Sequence, residues 1–270
     1  MIFGRGNHKS ITMKKLFLLF LTIGVFTSCS KENNGDDPNN PSKCRLESMH
    51  DDEGGKITFT YNSDGKVHKV VGLEEEENFP TTFVYKQSSI EVTVGDHSKP
   101  SGNNKLFSYV LDQNNRVIER KVNYNNEGFR THSRFIYNNA GYLVGITGAS
   151  GEKYVTISYT GGNIQEVYHH NFYESSNLEY DHDKAYVPYT NLIIMLFSDN
   201  SEDADYFLYE QGYFGNRIKN RIIKENFKSR NNQSITTFTY NEDKNGNVSS
   251  LNAKRNDYAP YTAYFNFKCK

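Results

Sequence analysis

Phe59-Thr60-Tyr61-Asn62-Ser63-Asp64-Gly65-Lys66-Val67-His68-Lys69-Val70 is a β-hairpin written out in residues. Phe59 and Tyr61 are two apart and share one face of a strand, while Val67 and Val70 resume an apolar pattern after the turn. Asn62 can bond its own backbone two residues on and open a type I turn, and Gly65 supplies the positive φ that closes it. Phe135-Ile136-Tyr137-Asn138-Asn139-Ala140-Gly141-Tyr142-Leu143-Val144-Gly145-Ile146 repeats the text in the same register. Leu111-Asp112-Gln113-Asn114-Asn115-Arg116-Val117 puts Asn115, the next best left-handed residue, at the glycine position. Tyr124 to Gly128, Tyr159 to Ile164 and Tyr240 to Val248 are further copies, and Tyr85 to Ile90 is a turn variant without glycine.

The residue before each turn falls at Tyr61, Tyr85, Leu111, Tyr137 and Tyr159, in steps of 24, 26, 26 and 22 residues. A period in that range marks stacked supersecondary units, one hairpin each. The next clear copy, at Tyr240, lies 81 residues on, so an insertion is read between them, at about residues 186–220. The predicted fold is all-β: consecutive antiparallel hairpins, some 14 to 16 strands on the usual spacing, curled into a large roll or an open, barrel-like sheet. In the insertion, Asn191 to Phe197 is an apolar run, Ser201 with Glu202, Asp203 and Asp205 reads as an N-cap with acids in the first turn, and Gly212 as a stop. One or two short helices are expected between Asn191 and Gln211. Tyr206, Tyr209, Tyr213 and Phe214 either line a ligand groove or, the commoner arrangement, pack an aromatic stripe over the sheet.

The repeats resemble the Tyr-Asp (RHS-type) repeat, and the chain from about Cys44 to Cys269 is similar to uncharacterised Bacteroidetes lipoproteins built from such hairpins, a domain-of-unknown-function family. That resemblance implies an all-β fold and an envelope location, with no established activity.

Before the hairpins the text is different. Lys14 and Lys15 form a charged start, Leu16 to Phe26 an apolar core of 11 residues, and Cys29 follows Ser28. A bilayer needs about 20 apolar residues, so residues 1–28 read as a cleaved signal, with Met13 as the start of translation. Ending on Cys, it resembles a bacterial lipoprotein signal in which the Cys29 thiol is acylated. Residues 29–43 form a polar tether with nothing apolar to bury, and residues 44–270 a single β domain. The Lys-then-acid text after Cys29 is similar to signals that send such lipoproteins to the outside of the outer membrane. The expected location is therefore the outer membrane, lipid-anchored, on its periplasmic or cell-surface face.

Removing residues 1–28 takes away Arg5, Lys9, Lys14 and Lys15 and no acid, leaving 27 basic residues against 32 acidic. With no basic patch, nucleic acid is not an expected partner. The expected partners are the membrane, through the anchor, and a glycan or protein ligand. Cys44 precedes the first strand and Cys269 ends the last, so a bridge between them is expected in an exported chain. No Gly-x-Ser-x-Gly, His-Glu-x-x-His or phosphate-cradling loop occurs. His169-His170 would point to opposite faces of a strand, and the Glu74 to Glu77 run suits a solvated hairpin tip. No catalytic residue, metal or cofactor is therefore assigned. The functional expectation is a non-enzymatic envelope lipoprotein that binds a glycan, peptide or protein or has a structural role. The alternative is a surface glycan hydrolase using carboxylates that carry no local motif.

Overall fold

The structure, a computed structural model, describes residues 44–52, 54–74, 77–95, 105–123, 127–188 and 203–269. Sixteen strands follow one another: β1 (Cys44–Asp51), β2 (Lys56–Tyr61), β3 (Val67–Glu74), β4 (Glu77–Tyr85), β5 (Ser89–Val94), β6 (Lys105–Leu111), β7 (Val117–Asn123), β8 (Arg130–Tyr137), β9 (Leu143–Gly148), β10 (Lys153–Thr160), β11 (Asn163–His169), β12 (Glu174–Ala185), β13 (Asn220–Lys228), β14 (Gln233–Glu242), β15 (Val248–Arg255) and β16 (Tyr261–Cys269). Each pairs antiparallel with its sequence neighbours, and β1 pairs with β16, so the sheet closes into a barrel. Closure removes every edge strand, the standing hazard of a long meander.

Alternation sets the inside. Tyr61, Phe59 and Ile57 point inward from β2, as do Tyr85, Phe83 and Thr81 from β4, and Tyr137, Phe135 and Ser133 from β8. A tyrosine layer thus lies nearest the turns, with a layer of large apolar side chains beneath it. On the strand after each turn the spacing changes from two to three: Val67 and Val70, Leu143 and Ile146, Ile164 and Val167, Val248 and Leu251 are all buried. The cause is a bulge. Thr60 pairs with Lys69 but Tyr61 with Val67, and the register slips in the same way beside Leu111, Tyr137 and Tyr159. One extra residue puts positions three apart on one face. Gly65 has φ +88° and Asn115 φ +59°, as the sequence predicts for the position closing the turn. Side-chain oxygens of Asp112, Asn138 and Asp243 accept main-chain N–H groups of their own turns.

The Tyr124 to Gly128 copy is different in kind. It falls on the β7–β8 connection, at the opposite end of the barrel from the other turns, and residues 124–126 lie outside the described residues.

Outward positions are mostly polar: Thr60, Thr156, Ser158, Glu179, Thr237, Thr239 and Asn266 are exposed, and ion pairs such as Lys224 with Glu179 run over the wall, with Val84, Ile118, Ile136, Ile223, Ile235 and Tyr264 as the exposed large apolar side chains among them. A membrane-spanning barrel has the reverse arrangement, an outward apolar band about 25 Å tall around a polar lumen. Among the described residues no helix is long and apolar enough to cross a membrane.

The helix α1 (Asp203–Glu210) lies in the β12–β13 connection. Gly212, with φ +86°, ends it: Gly212 N–H donates to the Tyr209 carbonyl and Tyr213 N–H to that of Leu208, a Schellman cap. Ser201 and the Asn191 to Phe197 run lie outside the described residues.

Candidate functional site

In an up-and-down barrel alternate connections lie at the same end. The turns β2–β3, β4–β5, β6–β7, β8–β9, β10–β11 and β14–β15 therefore share one end with the β12–β13 connection, the start of β1 and the close of β16. We refer to it as the turn end and to the other as the far end. Where a tight turn would complete the ring, the described residues 203–219 of the β12–β13 connection instead pack into the barrel. Every residue from Ala204 to Glu210 is buried. Phe207 meets Phe59 and Phe83 edge-on at 5.6 and 6.4 Å, and Phe214 meets Phe135 at 4.8 Å. The segment is a plug.

Its docking follows from the bulges. At four of the hairpins the bulge and its turn leave main-chain groups that the plug takes in sequence. Val67 N–H donates to Gln211 Oε1 at 3.0 Å, Val117 N–H to the Tyr213 carbonyl at 2.8 Å, and Gly215 forms a bridge with Tyr142. Asn216 N–H then donates to the Gly141 carbonyl at 2.9 Å and Lys219 N–H to that of Gly162 at 3.0 Å. The chain from 211 to 219 thus crosses successive hairpins before joining β13. Gly215 has φ +82°, and a Cβ there would sit 2.2 Å from the Gly141 carbonyl oxygen, so only glycine fits.

The repeat tyrosines explain themselves at this end. The β3–β4 ladder stops at Lys69 and Thr82, and that of β7–β8 at Glu119 and Arg134, so the strands part beyond those pairs. A tyrosine hydroxyl bridges each gap: Tyr61 donates to the Leu46 carbonyl, Tyr85 to Val67, Tyr137 to Val117, Tyr180 to Ile164 and Tyr240 to Ile222, at 2.6–2.8 Å. Arg45, Lys66, Arg116 and Arg221 lie over the rings of Tyr61, Tyr85, Tyr137 and Tyr240. Burial pushes the Tyr61 hydroxyl up to about 12, against a smaller downward pull from Arg45, and raises those of Tyr85 and Tyr137 further. These hydroxyls stay protonated donors.

One charged cluster fastens the plug. Arg120, 2% exposed, pairs with Asp205 of α1, 1% exposed, and Tyr109 donates to the same carboxylate at 2.6 Å. Arg120 also donates to His132 Nδ1 at 2.9 Å and to Ser133 Oγ. Burial, and then the Arg120 charge, hold His132 below its usual pKa. Sequence reasoning missed Arg120, although a signal exists: it stands three residues after Val117, where other hairpins carry Val70, Ile146, Val167 and Leu251. Glu225, three after Ile222, is the parallel case; it accepts from Ser176 at 2.7 Å, and burial raises its pKa.

The residues singled out as ligand candidates go into the plug. Tyr206, Tyr209 and Phe214 are buried, and Tyr213, half-buried, stacks on Tyr85 at 5.8 Å. Cys44, which is disulfide-bonded, faces Cys269 in the β1–β16 register. His169 is buried, whereas His170 lies in a turn against Tyr168 and Thr156. Among the described residues no three His, Cys, Asp or Glu side chains are placed to hold a metal. Cys29 and Glu75–Glu76 lie outside the described residues. A cleft of about 420 Å³ opens between the parted ends of β1 and β2, floored by Leu46, Phe59 and Tyr61.

A family described as "Domain of unknown function (DUF4595) with porin-like fold" matches residues 49–250. The chain belongs to this family. Among solved structures, a porin-like protein from Bacteroides uniformis is similar at 19% identity over 86% of this chain and 98% of that one, with a TM-score of 0.61. The two chains therefore share a fold at low identity. A porin-like protein from Bacteroides vulgatus, at 14% identity over 79% of this chain and 77% of that one, has a TM-score of 0.27, too low to bear on the architecture. No curated protein matches.

Proposed function

We propose that this member of the porin-like family is not a channel but a non-enzymatic lipoprotein of the cell envelope, whose barrel stands in water and presents a binding surface. The observation that carries this reading is the polarity of the wall. Among the described residues the strands turn mainly threonine, lysine, glutamate and asparagine outward, with a minority of apolar side chains such as Val84, Ile136 and Ile223, and phenylalanine, valine and tyrosine inward, and the plug packs into that interior. A bilayer would have to desolvate the outer polar side chains without partners, at several kcal/mol for each charged group near its midplane.

Membrane attachment on this reading falls to acylated Cys29. Amide-linked and thioether-linked chains together give stable anchoring where a single chain is marginal. We further propose that Cys44 and Cys269, register partners on β1 and β16, bridge the seam. The hydrolase reading is not favoured: buried Asp205, Glu210 and Glu225 are engaged inside the barrel with Arg120, Tyr186 and Ser176.

The test is fractionation. Wild-type protein is expected in the membrane fraction and released by detergent, and the Cys29→Ser chain in the soluble fraction. Membrane association of the Cys29→Ser chain that survives high salt and carbonate washing would overturn the anchor.

A further inference from the structure

The far end carries aromatic side chains that the barrel does not use. Phe172, Tyr173 and Tyr258 are 46%, 54% and 68% exposed, and none belongs to the core cluster. They lie on the β11–β12 and β15–β16 connections, with the β13–β14 connection between them in the sheet order. Arg230, on that middle connection, lies over the Tyr173 ring at 3.8 Å, and Arg255 lies over Tyr258 at 4.7 Å. Tyr173 holds φ +57°, a left-handed conformation unfavourable for a bulky residue. Tyr173, just before β12, and Tyr258, just after β15, are on elements three strand spacings apart, about 14 Å, the span of a few sugar residues.

We infer that this rim binds an anionic oligosaccharide, one bearing carboxylate or sulfate groups. The inference rests on the reading of the protein as a binding lipoprotein and assigns that reading a face and a ligand class. Flat aromatic rings exposed on loops suit the apolar faces of pyranose rings. The Arg230 guanidinium, fixed by stacking on Tyr173, presents its N–H fork to a planar anion at little ordering cost. Charge selects the acidic class: Arg255 and Asp257 pair with one another at 2.8 Å, which leaves Lys228, Arg230 and Lys254 at this end of β13 and β15 and on the connection after β13 against Glu174. Exposed Asn171, Asn231 and Asn232 on the same connections supply amides for hydroxyl groups.

The test is calorimetric titration of the complete mature chain carrying Cys29→Ser, which needs no detergent. The probes are hexameric oligogalacturonate and a chondroitin sulfate hexasaccharide, with methyl-esterified oligogalacturonate as the uncharged control and polyphosphate as the charge-only control. At least one acidic oligosaccharide is expected to bind, with both controls at least tenfold weaker. Tyr258→Ala and Arg230→Gln should each weaken binding about tenfold. Tyr173→Gly should weaken it likewise while leaving the melting midpoint unchanged or higher, because glycine accepts that φ. Failure of both acidic probes to bind, equal binding of polyphosphate, or binding indifferent to Tyr173→Gly and Tyr258→Ala would each overturn the inference. These outcomes are independent of where the Cys29→Ser chain fractionates, so this proposal and the anchor fail separately.

Discussion

The two ends of the barrel are built on opposite principles. At the turn end a short glycine- or asparagine-closed loop, a bulge and an inward tyrosine recur hairpin after hairpin, and a buried plug takes up the groups that the bulges release. At the far end the connections vary in length and composition and leave Phe172, Tyr173 and Tyr258 in solvent. Order at one end is bound up with stability, and variety at the other leaves side chains available for binding. Substitutions at the two ends should therefore differ in kind.

The largest effect is expected at the plug anchor. Arg120→Met leaves Asp205 buried beside Tyr109 without its cation, a change of about 3–5 kcal/mol by the usual cost of breaking a buried pair. Chemical denaturation should show it, and Arg120→Met combined with Asp205→Leu should recover much of the loss. Gly215→Ala comes next: its Cβ meets the Gly141 carbonyl at 2.2 Å in a left-handed conformation, which calls for a loss of about 3 kcal/mol. Limited proteolysis should then open the 211–219 segment before the strands. Tyr137→Phe removes one bridging hydroxyl and strands the Val117 carbonyl, for about 1 kcal/mol.

Acid should act on the same end. His132 accepts from Arg120 through Nδ1, so its protonation replaces an acceptor with a donor facing a cation. Its folded pKa lies below the usual 6.5, so the unfolded chain binds the extra proton first as pH falls. The stability it contributes is complete above about pH 6.5 and is lost as pH drops towards the folded value. Melting midpoints from pH 8 to 5 should fall less in His132→Gln than in wild type. The smallest effect belongs to the far end: Tyr258→Ala should stay within about 0.5 kcal/mol of wild type.

What could be read from the sequence follows the range of each interaction. Alternation at Phe59 and Tyr61, the Gly65 and Asn115 turns and the Gly212 cap involve neighbours within a few residues, and the text states them directly. Closure joins Cys44 to the far side of the sequence; paired cysteines hint at it, but the register comes only from folding. The role of the repeat tyrosines was hidden because each acceptor lies 15 to 20 residues back, on the preceding strand. The plug is the least legible part. Asp205 meets Arg120 across 85 residues and Gln211 meets Val67 across 144, and an aromatic run at Tyr206 to Phe214 reads equally as groove lining or as filling. The low mean hydropathy of −0.74 fits a wall in which the outward positions of the strands are mostly polar.

The most direct test of a polar-walled, plugged barrel is flotation of the complete mature chain carrying Cys29→Ser with preformed liposomes, followed by conductance across a planar bilayer. The protein is expected to stay at the bottom of the gradient, monodisperse without detergent, and the bilayer to remain silent. Co-flotation resistant to high salt together with stepwise conductance would contradict it.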